Sequence, residues 1–168
     1  MIAMQDEGRT ALAMALEAMP SYFAWGRGDG VWQNPPAMPT NGGPLIDEIG
    51  RSLVTLKQYV EPTTADDPTY FCTVPEGPND NLLYYKKSDV PTKWLYVRSE
   101  FSYFDADGET VREVALFIGA TVTPDTPPGH RYIPFSQVAN PGYRLTLEYR
   151  RPSPRERKEE AEYLVLTL

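Results

Sequence analysis

The chain has 168 residues, a single cysteine and a formal net charge of −7 at pH 7. That length suits one domain, residues 1–168, with a core that needs no disulfide, and a lone thiol excludes both an internal disulfide and a cysteine-based zinc cluster. The acidic balance argues against a protein whose main task is gripping phosphate backbones, and no apolar run approaches the ~20 residues of a membrane helix, so neither nucleic acid nor membrane is an expected partner.

The segment from Asp6 to Met19 reads as one amphipathic helix, with Leu12, Ala15, Leu16 and Met19 at helical spacing, acids at its start and Pro20 at its stop. It packs on its own domain or docks on a neighbouring subunit. The body from residue 21 to 168 reads as β-rich. Ser21 to Gly26 is a short strand carrying Phe23 and Trp25. From Gly26 to Pro44 the chain is rich in glycine, proline and asparagine, which predicts a long ordered loop around Trp32. Leu45 to Gly50 reads as a helical turn, Arg51 to Val60 as a strand, and Pro62 to Asp67 as a break. Thr69 to Val74 is a strand with Cys72, Glu76 to Asn81 a turn, and Leu82 to Tyr85 an edge strand.

Trp94 to Phe104 alternates with a period of two and is the strongest strand signal. Asp105-Ala106-Asp107-Gly108 then reads as a hairpin turn, glycine supplying the positive φ. Val111 to Thr121 is the returning arm, apolar on both faces and therefore central. Pro124 to Gly142 is a second long loop, with Tyr132 and Phe135 inside it and Tyr143 beside it. Tyr143 to Arg150 and Ala161 to Leu168 are the last strands, separated by a charged stretch from Arg150 to Glu160 that reads as solvated. The sum is a mainly β fold, an antiparallel β-sandwich with an N-terminal helix and long Pro/Gly-rich loops.

Seventeen prolines are about twice the average usage. Eleven tyrosines stand against six phenylalanines, and tyrosine favours contact surfaces because it joins an apolar body to a polar tip. Catalytic groups are sparse. Gly26-Arg27-Gly28-Asp29-Gly30 lacks the lysine and following helix of a phosphate loop. Asp105 to Glu109 has the first acids of a calcium loop but strand flanks. His130 is the sole imidazole, and no Gly-x-Ser-x-Gly elbow accompanies it. With one histidine and one cysteine, no metal site and no cofactor are expected. The acid pairs Asp47/Glu48, Asp66/Asp67 and Glu159/Glu160 each lie on one segment, not facing one another across a cleft. The start of the chain, Met1 to Glu7, lacks the basic and apolar regions of a signal peptide, so synthesis in a reducing cytosol is expected.

The run Tyr22-Phe23-Ala24-Trp25-Gly26-Arg27-Gly28-Asp29-Gly30-Val31-Trp32, the segment Leu45-Ile46-Asp47-Glu48-Ile49-Gly50-Arg51 and the strand Arg112-Glu113-Val114-Ala115-Leu116-Phe117 resemble, in that order, segments of baseplate and tail-fibre-attachment proteins of tailed bacteriophages of the contractile kind. Ala115 departs from the glycine more usual there. The resemblance implies a non-enzymatic structural component of the virion tail, made in the host bacterial cytoplasm. It would assemble in several copies with other tail and baseplate proteins, and would anchor fibres. The expected assembly contacts are Leu12, Leu16, Trp25, Trp32, Tyr132, Phe135 and Tyr143. Two other readings remain open: a carbohydrate- or receptor-binding sandwich stacking sugars on Trp25, Trp32 and Trp94, and a hydrolase using an acid pair.

Overall fold

A computed structural model describes residues 3–76 and 81–168. The turn expected between Glu76 and Asn81 lies largely outside the described residues. The elements, in chain order, are helix α1 (Asp6–Ala18) and strands β1 (Ser21–Gly26), β2 (Glu48–Thr63), β3 (Tyr70–Glu76), β4 (Asn81–Lys87), β5 (Trp94–Phe101), β6 (Thr110–Ile118), β7 (Thr121–Val122), β8 (Tyr132–Pro134), β9 (Val138–Asn140), β10 (Tyr143–Pro154) and β11 (Glu160–Thr167). The fold is mainly β and antiparallel, as the alternation of apolar and polar residues implies.

The chain divides into two compact units. One comprises Met1–Ala18, Thr55–Arg98 and Tyr163–Leu168; the other comprises Met19–Val54 and Ser99–Glu162.

The first unit holds α1 and the β2–β4–β3 ladder. Strand β4 lies between β2 and β3, so the edge position expected for it belongs to β3 instead. The core here is Val60, Tyr85 and Tyr96, with Phe71, Val74, Trp94 and Val165 packed against it. Phe71 meets Tyr96 edge-on at 5.0 Å, the orientation that ring quadrupoles favour.

In the second unit the order is β10–β6–β1–β2, with β8 also paired to β2. Strand β6 is flanked by β10 and β1 and is buried along nearly all its length, which accounts for its two apolar faces. The expected hairpin between the Trp94 and Val111 strands does not form: β5 pairs with β2 and β11, while β6 pairs with β1 and β10. A strand–turn–strand signal fixes a chain reversal but not the pairing, and here strands remote in sequence compete for both edges of β6. Trp25 on β1 stacks on Phe101 of β5 at 3.5 Å, ring against ring inside a curled, sandwich-like antiparallel sheet.

A buried ion pair lies within this core. Arg51 makes a bidentate pair with Glu48 at 2.8 Å for each bond, donates to the Pro141 carbonyl at 2.9 Å, and lies over the Phe117 ring. The helical turn expected at Leu45 to Gly50 is absent. Strand β2 starts at Glu48, and its first stretch of chain holds the buried Glu48–Arg51 ion pair. The second long loop is also more structured than its composition implies, since β8, a 3-10 turn (Phe135–Gln137) and β9 fall within it. Strand β10 ends the order and is therefore an edge, broken by register shifts between Arg144 and Thr146 and between Tyr149 and Ser153.

Candidate assembly surfaces

The first surface is α1. Ala13 is its buried residue, and Arg9, Thr10 and Leu16 are half-buried beside it. Met4 is 56% exposed and Leu12 is 46% exposed. Gly8, Ala11, Ala15 and Ala18 are exposed as well, and they share the Met4–Leu12 side by helical spacing. Met4 folds over this side, its Cγ lying 3.4 Å from where a Cβ on Gly8 would stand. The periodicity predicted the helix, but most of the apolar stripe points to solvent. Polar groups do much of the tethering. Lys93 pairs with Asp6 at 2.9 Å, and Lys57 Nζ donates to the carbonyl of Glu17 at 2.7 Å, satisfying a helix C-terminus. Burial pushes the Lys57 ammonium below its usual range.

The second surface is the loop over residues 27–47 in the other unit. Both of its ends are tied to one buried carboxylate. Glu113 accepts the N–H of Ile46 at 3.0 Å and backbone N–H groups of Asp47 and Gly28. Burial raises its pKa, and these bonds offset part of the rise. Arg27 closes the neck, pairing with Asp47 at 2.9 Å and holding Glu109 in a fork of 2.6 and 2.7 Å. Hydrogen bonding to Arg27 holds the Glu109 carboxyl below its usual range. Trp32 is half-buried, tilted against Tyr149 at 4.9 Å and lodged over Gly28. Further along, Arg144 donates to the carbonyls of Asn41 and Pro44, which leaves an open pocket of about 290 Å³ beside Met38, Thr40 and Leu147.

The third surface is the connection over residues 102–109; the sequence pattern carries the Trp94 strand on to Phe104 and places the turn at Asp105 to Gly108, but the strand ends at Phe101, and Ser102 to Phe104 belong to the connection. Phe104 is 76% exposed and Tyr103 is 50% exposed. Beneath them the backbone is fixed. Asp105 accepts the Ser102 N–H at 2.6 Å, and the buried Arg155 donates to the carbonyls of Ser102 at 2.6 Å and Asp105 at 3.1 Å. Ala106 is held at φ 57°, a left-handed conformation that costs an alanine energy. Arg155 thus corrects the expectation that residues 150–160 are solvated.

Of the expected contact residues, Leu12, Phe135 and Tyr143 are exposed, Tyr143 to 78%. Leu16, Trp32 and Tyr132 are half-buried. Tyr132 packs edge-on to Phe101 at 6.2 Å, and burial pushes its hydroxyl up to about 12. Trp25 is 0% exposed, with its indole N–H donated to Glu162 at 2.7 Å, so it is a core residue. Of the other two tryptophans, Trp32 is covered by Tyr149 and Trp94 carries the Lys93 ammonium 4.8 Å from its ring.

His130 is exposed, and burial pushes the Cys72 thiol up to about 11, which disfavours the thiolate. Among the described residues no three His, Cys, Asp or Glu side chains gather as a metal site. Nor is any helix among them long and apolar enough to cross a membrane.

A mainly β chain that ties its loops with hydrogen bonds and ion pairs and shows apolar side chains outward fits an assembly component, and comparison with known families makes the class definite: a structural component of a bacteriophage tail baseplate. Residues 1–168 match the family model described as "Baseplate wedge 3 tail fiber network component", and the chain belongs to that family. No curated protein matches it.

Proposed function

We propose that the chain acts as one domain that joins proteins of the tail-fibre network to the baseplate, present in several copies per virion and helping to anchor fibres. It works by contact alone, without catalysis or a cofactor, and without nucleic acid or membrane as a partner. Synthesis is in the host cytoplasm. The observation that carries this reading is the outward apolar side of α1, because a helix rarely directs its apolar residues to water without a partner for them. Phe135 and Tyr143 in the other unit are further proposed contacts, with Trp32 and Tyr132 steadying the loops that carry such groups, and Trp25 acting from the core.

Density-gradient fractionation of a lysate, with the chain located by mass spectrometry, tests the reading. Co-sedimentation with tailed particles at fixed stoichiometry is expected. A chain that stays in the light fractions while particles form would overturn it.

A further inference from the structure

We infer that α1 seats in an apolar groove with a basic rim on a different protein of the tail, and does not pair with α1 of a second copy. The inference rests on the assembly reading above and names the partner of one surface.

Size gives the first argument. A helix of 13 residues is about 20 Å long and about 10 Å across. Laid against an equal helix it covers a strip of about 200 Å², well short of the about 800 Å² per partner of a standard interface. The same helix in a groove is embraced on three sides. Only Ala13 is fully buried on its own unit, which leaves Met4, Leu12 and Met14 for groove walls to cover. Ala11, Ala15 and Ala18 let those walls approach the backbone, while the flexible methionines adapt to the groove's shape.

Charge gives the second argument. The helix carries Asp6, Glu7 and Glu17 against Arg9, with Lys93 paired to Asp6 and Lys57 near Glu17, on a chain of net charge −7. Antiparallel pairing of two copies would set Glu7 beside Glu17, and parallel pairing would set Glu7 and Glu17 each beside its like. Both are repulsive, whereas a rim of lysine or arginine complements the helix and opposes wrong partners.

The test is a photoreactive benzoylphenylalanine at position 12, in chains expressed during infection, with the same probe at exposed position 66 as control. Purified particles are irradiated and adducts mapped. From position 12, the expected adduct joins a different tail protein at an apolar segment bearing lysine or arginine nearby. An adduct to a second copy overturns the inference. So does the absence of any adduct in particles that contain the chain at normal amount. Leu12→Asp should keep the wild-type Tm, because its side chain is exposed, and lower incorporation at least tenfold; normal incorporation would also overturn it. If wild-type particles lack the chain altogether, the assembly reading itself falls, a result distinct from the others.

Discussion

The Arg155 guanidinium lies 5.0 Å from the ring of Trp25 while donating to the carbonyls of Ser102 and Asp105. One buried cation thus links the core tryptophan to the connection that displays Tyr103 and Phe104. Arg155→Leu leaves two carbonyls without their donor and should cost about 3 kcal/mol, read as a lower midpoint in urea unfolding. Arg155→Lys should recover little of this, since an ammonium lacks the planar fork.

Tyr103 and Phe104 themselves carry little of the fold. The double change to serine should leave stability within about 0.5 kcal/mol of wild type, as expected of exposed positions. If the connection is a contact surface, incorporation into particles should fall. Normal incorporation would remove it from the set of contacts.

Gly50 pairs with Pro134 in the β2–β8 ladder, and the Tyr132 side chain lies over it. A Cβ there would stand 2.5 Å from the tyrosine Oη and 2.8 Å from the Ile133 carbonyl. Gly50→Ala must push β8 away and should cost about 2 kcal/mol by overpacking. Thermal unfolding measures it, and an unchanged Tm would mean that β8 yields freely.

Two carboxyls give pH dependences of opposite sign. Asp67 accepts bonds from Thr63 and from the backbone and hydroxyl of Thr69, which holds its pKa at about 2. Its contribution is present above the unfolded value of 3.8 and is lost as pH falls through about 2. Glu113 is raised by burial, so the folded state binds its proton more tightly than the unfolded chain does. Its ionisation therefore lowers stability as pH rises above 4.5 through the folded value. Asp67→Asn should flatten the acid limb of a stability profile, and Glu113→Gln should flatten the limb above pH 4.5. A profile unchanged in either variant would contradict its assignment.

The loop over residues 27–47 should be separable from folding. Removing residues 30–43 spares the Glu113, Arg27 and Asp47 neck and the buried Leu45. The shortened chain should fold with a cooperative transition yet fail to enter particles. Normal infectious particles would place assembly elsewhere.

The strand alternation and the period of α1 are local patterns, and they were legible in the sequence with boundaries close to those observed. The pairing partners were not. Nothing near Thr110 states that β1, some ninety residues earlier, lies against β6. Which side of α1 faces its own unit was equally hidden, because a periodic stripe gives a direction but not what lies there. Arg155 sits in a run of charges that reads as solvated, and its burial follows from carbonyls fifty residues away. The strand signal places Trp25 among surface aromatics because it does not say that Phe101 and Glu162 close over it.

The edge formed by β10 bears on how large an assembly can grow. Its ladder slips twice, and Pro152 and Pro154 remove amide donors near its end. A neighbour offering a bare strand finds no regular row of partners there. Under the proposed assembly in several copies, neighbours would not zip along this edge into an endless ribbon, and the number joined would be left to specific side-chain contacts.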